Sequence, residues 1–233
     1  RIESIDLSDV EPDAPVDVFD VSGRNALTSV GLTLTRSTLD SNFRPSRGQR
    51  FTTTVEQFGA LGGDFTFTRF SAEHTIYLTL AEDFLERRTV LSFNTRLGYI
   101  PQGRDETPVY ERFYLGGQSF RGFGFRAVGP LGLRNDTRQP GGDPVGGTFM
   151  FFFGPQINIP IFDDVFSIVF FSDTGTISND VGFDDYRVTI GTGLRFYIRQ
   201  LSPAPLAFDF AIPVMRQDSD RKRIFTFSVD LPF

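Results

Sequence analysis

From Ala26 onward the chain repeats one pattern: long stretches in which polar and apolar residues alternate. In Ala26 to Arg36, Thr28, Val30, Leu32 and Leu34 share one side. Ser29, Gly31, Thr33 and Thr35 share the other. Successive side chains of a strand point to opposite faces, so this period of two predicts β-structure. Phe51 to Phe58 is a second strand, closed by the Gly-rich turn Gly59 to Gly63. Phe65 to Leu80 is a third, with a mixed alternation that leaves its facing open. Thr89 to Ile100 is sharper: Leu91, Phe93, Thr95, Leu97 and Tyr99 oppose Ser92, Asn94, Arg96 and Gly98.

The second half alternates more strongly. Phe149 to Ile161 sets Phe149, Phe151, Phe153, Pro155, Ile157, Ile159 and Ile161 against Met150, Phe152, Gly154, Gln156, Asn158 and Pro160. Phe166 to Ile177 carries Asp173 and Gly175 on one face. Tyr186 to Ile198 opposes Val188, Ile190 and Leu194 to Arg187, Gly191, Gly193 and Arg195. Leu206 to Val214 opposes Phe208, Phe210 and Ile212 to Ala207, Asp209 and Ala211. In Ile224 to Phe233, the residues Phe225, Phe227, Val229, Leu231 and Phe233 oppose Thr226, Ser228 and Asp230.

That makes about nine or ten strands, each close to the ~9–11 residues that cross a bilayer when tilted. Strands of ordinary sandwiches are nearer ~5–6 residues. The polar faces carry Arg, Asp and Asn, which a dry sandwich core tolerates only when paired. An apolar outside against lipid and a wet inside fit better. Such a sheet must close, because an open edge in hydrocarbon leaves backbone groups unpaired. The fold expected is all-β: an antiparallel transmembrane β-barrel over residues 26–233, after an acidic segment 1–25 that is loop and the end of a preceding strand (Ile2 to Leu7). Even strand numbers are the rule in single-chain bacterial barrels, so self-closure would require about 8 or 10 strands.

Composition narrows the chemistry. The 233 residues include 28 Phe, 6 Tyr and no Trp, an enrichment that favours strands over helices. There is no Cys and a single histidine, His74, so disulfides, thiolate metal sites and multi-histidine sites are excluded. The formal charge of −6, without a run of like charges, makes nucleic acid an unsuitable partner. No apolar stretch approaches the ~18 residues a membrane helix needs. The chain opens at Arg1 without a starting methionine or signal peptide, as a mature or excised fragment would.

One stretch interrupts the alternation. Residues 101–147 form a long loop, and its centre, Glu111 to Pro130, is rich in glycine and aromatics. Loops of this length inside a compact domain are usually functional. Phe120, Phe123 and Phe125 surround Arg121, and so many aromatics are costly on an exposed mobile loop. An arginine reaching a carboxylate in a confined space makes a bidentate pair. The loop is therefore expected to fold back inside the barrel with Arg121 as its anchor. Three other motifs carry less. Asp173-Thr174-Gly175 has the letters of an aspartic protease triplet, but occurs once and reads as an inward-facing strand aspartate. His74 in a barrel lipase lacks a Gly-x-Ser-x-Gly nucleophile. Asn135-Asp136-Thr137 is a glycosylation sequon by letters and reads as loop.

The loop F-Y-L-G-G-Q-S-F-R-G-F, with A-V-G-P behind it, resembles the signature loop of the BamA-type outer-membrane assembly factors, the bacterial surface antigen barrels. It includes Gly116, Gly117, Phe120, Arg121, Gly122 and Phe123. Other segments agree in order. Ser29 to Arg50 resembles the family's strand, R-D-x-x-x-x-P-T-x-G turn and strand, with Ser and Thr intruding. Val169 to Gly175 resembles its F-x-D-x-G strand through Phe171, Asp173 and Gly175. Arg187 to Pro213 resembles the G-x-G-x-R strand and its successor. The terminal aromatic strand resembles the C-terminal targeting signal.

The resemblance implies the C-terminal part of a 16-stranded barrel whose long loop tucks into the lumen. There the loop arginine, here Arg121, bonds an acidic residue on each of two neighbouring strands. Asp173 matches one acid, and Gln156 stands where the other belongs. A neutral amide accepts a hydrogen bond but supplies no charge, so Asp173 is expected to carry the anchor alone with Gln156 as a weaker contact. The implied function is insertion and folding of outer-membrane proteins in a bacterium of Gram-negative type. A lateral seam would be bordered by the last strand, with pairing weakened at Pro232. Implied partners are outer-membrane lipids, unfolded outer-membrane protein clients and accessory envelope lipoproteins. No cofactor or catalysis is required. A polypeptide-secretion pore of the same superfamily, a plain porin and a barrel lipase are the alternatives.

Overall fold

A computed structural model describes residues 1–162, 165–197 and 205–229. Ten strands form one antiparallel sheet in chain order: β1 Ile2–Leu7, β2 Gly23–Ser37, β3 Gly48–Phe58, β4 Thr68–Glu82, β5 Arg88–Tyr99, β6 Phe149–Phe162, β7 Phe166–Ser178, β8 Arg187–Phe196, β9 Leu206–Met215 and β10 Phe225–Val229. Every strand pairs with its neighbour in sequence, so each connection is a hairpin, the longest spanning the loop between β5 and β6. Among the described residues no pairing joins β1 to β10. Strands of 15 residues in β2 and β4 and 14 in β6 exceed the usual globular length.

The two faces separate by polarity. One face exposes Leu32, Leu34, Phe51, Val55, Phe170, Ile190, Phe210, Ile212 and Phe227. A row of rings crosses its turn-side end: Phe166 to Phe196, Phe196 to Phe208 and Phe208 to Phe227 lie 4.9, 5.8 and 5.1 Å apart. An apolar band bordered by aromatics has the pattern of a lipid-facing barrel surface. Ile190, 52% exposed between Ser172 and Ile212, sits in this band. Ile190→Arg should therefore cost about 2 kcal/mol of folding into bilayers, read by denaturant titration in liposomes, because a guanidinium on the lipid side loses its water.

Register settles the facing of β4, which its own pattern left open. Phe70 stands opposite Val55 and Tyr99 on the apolar face, whereas Arg69 stands opposite Glu56 on the polar one. His74 follows Phe70 onto the apolar face. Its Nε2 lies 2.8 Å from Gln49 Oε1, and its ring meets Phe51 edge-on. These partners are not those of a hydrolase base, so the lipase assignment of His74 has no support in the geometry.

The packed core lies at the loop end of the polar face. Phe120, Phe123, Leu115 and Val128 from the loop pack on Phe152 and Ile177 from β6 and β7. Leu27, Phe58, Phe67 and Ile100 form a second cluster, with Phe58 stacked on Phe67 at 4.2 Å. The connecting segment between β1 and β2 is more ordered than its acidic, proline-bearing sequence suggests. It forms a short helix α1, Val16–Phe19, and its Val21 packs with Val109 and Val145 of the long loop. The long loop has structure of its own. Leu131–Leu133 pairs with Pro140–Pro144, and Gly122–Phe123 pairs with Lys222–Arg223 from the β9–β10 connection.

Candidate functional site

The loop crosses the polar face of the sheet, and glycines make this close approach feasible. Gly116 has φ +128°, and a Cβ there would stand 2.2 Å from Gly124 O. Gly117 then donates its backbone N–H to Phe123 O at 3.0 Å, closing the turn. Gly122, at φ +94°, rests on Thr189 and Ala211, where a Cβ would meet the Thr189 methyl at 2.9 Å. Phe120 is fully buried, edge-on to Phe123 at 5.0 Å and to Phe152 at 5.6 Å. Phe125 departs from the expectation of a wholly sequestered aromatic cluster: it is 75% exposed.

This backbone delivers Arg121 to the strands. Its backbone N–H donates to Asp173 Oδ2 at 3.0 Å, Nε to the same oxygen at 2.8 Å, and Nη2 to Oδ1 at 2.7 Å. Nη1 donates to Gln156 Oε1 at 2.9 Å. The guanidinium also stacks on the Phe171 ring, 3.3 Å from its centre. Gly175, two residues beyond Asp173, has no room for a side chain: a Cβ would lie 2.4 Å from Phe151 O. The residues expected to converge here, Arg121, Gly122, Phe123, Gln156, Phe171, Asp173 and Gly175, are thus in one place, with Gly116, Gly117 and Phe120 shaping the loop. Phe225, Phe227 and Val229 lie on the apolar side of β10. Leu231 and Phe233 lie outside the described residues.

One expectation is corrected. Asp173 is not the sole acid beside Arg121, because Asp209 Oδ2 of β9 stands 3.6 Å from Arg121 Nη1. Asp209 also accepts Arg195 Nη1 at 2.7 Å and Nη2 at 3.1 Å. Both residues fell on polar faces in the sequence pattern, but their meeting needed the β8–β9 register. Arg96 of β5 was likewise visible only as a polar-face residue. Its Nη2 donates to Ser119 O of the loop, and its guanidinium lies 4.1 Å from the Phe152 ring centre.

Sequence reasoning missed the ties at the loop base altogether. Asp17 of α1 accepts Arg104 Nε at 2.8 Å and pairs with Arg112, which is buried like Asp17 itself. Glu111 pairs with Arg69 at 2.9 Å and with Arg1 at 3.1 Å, and Arg69 reaches Glu56 at 2.9 Å. Burial opposes the charge on Asp17, but hydrogen bonds from Arg104 and Arg112 outweigh it and hold the carboxyl below its ordinary range. Burial pushes the Glu111 carboxyl up, offset only in part by Arg69 and Arg1.

A folded pKa below the unfolded one means that Asp17 stabilises the fold above the ordinary carboxylate range. That contribution is lost as pH falls through the depressed value. Asp17→Asn should cost about 2 kcal/mol at neutral pH, less than a fully enclosed pair because Arg104 is partly exposed. Chemical unfolding at neutral and strongly acidic pH checks this: the gap between wild type and variant should close in acid.

The Omp85 superfamily domain matches residues 3–233. The outer membrane protein assembly factor BamA of Nitratidesulfovibrio vulgaris is 32% identical over 179 residues, covering 70% of this chain and 21% of that protein. The sorting and assembly machinery component 50 homolog of Xenopus tropicalis is 27% identical over 227 residues, 86% of this chain and 44% of that protein. The crystal structure of BamA from Haemophilus ducreyi lacking POTRA domains 1–3 aligns with a TM-score of 0.75 at 20% identity, covering 88% of this chain and 42% of that one. The chain thus spans less than half the length of each of these relatives.

Proposed function

The chain belongs to the Omp85 superfamily, and from that premise we propose that it is the C-terminal barrel portion of a machine that inserts and folds outer-membrane proteins. The observation that carries the reading is Arg121 seated on Asp173 across the polar face of a sheet whose opposite face is apolar. In this reading the sheet is part of a closed barrel, the polar face lines its lumen, and the loop is an internal latch. The latch holds the strands β6 and β7 in one arrangement and keeps the lumen filled near its outer end.

The work is not catalytic. Unfolded clients pair their strands with an exposed edge, and backbone hydrogen bonds supply the affinity. The last strand borders that edge. Among the described residues it pairs with β9 from Leu206↔Val229 to Phe210↔Phe225 and stands at the end of the sheet order. The partners are outer-membrane lipids, unfolded client barrels and accessory envelope lipoproteins. Greater identity to a bacterial relative than to the animal one favours the outer membrane of a Gram-negative-type bacterium. The full-length protein in liposomes should accelerate folding of a urea-denatured β-barrel client relative to empty liposomes. Equal folding rates in the two preparations would overturn the proposal.

A further inference from the structure

We infer that Asp209 is the second carboxylate of the latch, replacing the charge that Gln156 lacks, and that the glycines of β8 allow it to act from two strands away. The inference rests on the latch reading. Asp173 is on β7 and Asp209 on β9, with β8 between them. Thr189 stands opposite Asp173 and Gly193 opposite Asp209. Adjacent strands are about 4.8 Å apart, so a β9 side chain standing upright would fall well short of an arginine seated over β7. Asp209 does not stand upright. A Cβ built on Gly193 would lie 1.9 Å from Asp209 Oδ1, so the carboxylate occupies the space that any side chain at 193 would need.

Gly191 does the same for the other half of the site. A Cβ there would stand 2.4 Å from Phe171 Cζ, and that ring is the one beneath the Arg121 guanidinium. Gly191 and Gly193 together clear a lane across β8. Phe171 enters it from β7 and Asp209 from β9, and Arg121 lies over both. Arg195, on the same face of β8, holds the Asp209 carboxylate through both oxygens and keeps it leaning.

At 3.6 Å the contact with Arg121 Nη1 is an ion pair rather than a hydrogen bond, so it is weaker than the Asp173 contact. Asp209 is buried, so the attraction is less screened than at a surface. One consequence concerns the seam: β9 pairs with the last strand, so the loop arginine is tied to the strand on which a lateral opening would turn. A competing role for Asp209, as a partner of Arg195 alone, makes different predictions.

Hydrogen exchange of the loop segment 119–124 in the full-length protein, reconstituted in liposomes, separates them. Asp209→Asn should raise exchange about fivefold, the size of a partly screened charge contact. Gln156→Glu in that background should restore exchange to the wild-type level, because it returns a carboxylate to Nη1. Gly193→Ala, which keeps every charge but blocks the lean, should raise exchange like Asp209→Asn. If Asp209→Asn fails to fold because Arg195 loses this carboxylate, Asp209→Asn with Arg195→Gln removes both charges of the pair, and the same rise is expected. Failure of Gln156→Glu to rescue, or unchanged exchange in Asp209→Asn or Gly193→Ala, would show that Asp209 serves only Arg195. Asp173→Asn, measured in parallel, tests the latch itself. Unchanged exchange there sinks the latch reading, whereas a rise there without one in Asp209→Asn sinks only the present inference.

Discussion

Asp173→Ala should free the long loop while leaving the sheet assembled. Three donors of Arg121 converge on this carboxylate, including the backbone N–H, and all lose their acceptor together. Removing one partner of an enclosed pair leaves a charge without compensation, which costs about 3–5 kcal/mol. Arg121 retains a side-chain exposure of 13%, and Gln156 and Asp209 remain near Nη1. Both features reduce the loss, so about 3 kcal/mol is expected, roughly a hundredfold in the equilibrium between latched and released loop. Protease cleavage within residues 116–130 should rise accordingly, with the heat-modifiable mobility of the folded barrel preserved. An Asp173→Ala protein with an unaltered cleavage rate and unaltered client insertion would dispose of the anchor.

Phe120→Ala should have an effect at least as large, by a different route. Phe120 is wholly buried among Leu115, Phe123, Val128, Phe152 and Ile177. Truncation removes the ring from this cluster and leaves a cavity that the glycine-bounded turn cannot close. Large-to-small changes of this kind cost about 3–5 kcal/mol, and about 4 kcal/mol is expected here because neighbours come from three separate segments. Denaturant unfolding in micelles measures it. Phe125→Ala is the control, since its ring is 75% exposed. It should change stability by no more than about 0.5 kcal/mol. Comparable losses in the two variants would mean that the aromatics act through unfolded-state or lipid contacts rather than through this core.

The two routes also differ in salt dependence. Screening weakens charge contacts that solvent can reach and leaves apolar packing in place, while sulfate strengthens burial. The Asp173→Ala deficit should shrink in high salt, and the Phe120→Ala deficit should not.

How much of this was legible in the sequence follows from the range of each interaction. Alternation is a property of one strand at a time, so the strands of the second half, their apolar faces and the placement of Asp173, Gly175 and Gln156 could be read from Phe149, Phe166 and their neighbours alone. The loop arginine was legible because F-R-G-F sits between glycines whose only economical use is a tight turn against another surface. The pattern failed at β4, where Thr and Ala on both faces weaken the contrast; the register, with Phe70 opposite Val55 and Arg69 opposite Glu56, settled its facing. It failed again at residues 8–22, where α1 exists because Asp17 meets arginines from the distant loop and not because its own four residues favour a helix.

By itself, then, the sequence determined the β class, the apolar face of the sheet, the loop and the identity of Arg121 and Asp173, since period and turn chemistry are written locally. The tertiary structure decided who else joins them. Asp209 reaches Arg121 only because the β8–β9 register puts it opposite Gly193, where no side chain stands in its way. Such a contact depends on the absence of atoms on a third strand, and no one-dimensional pattern records that absence.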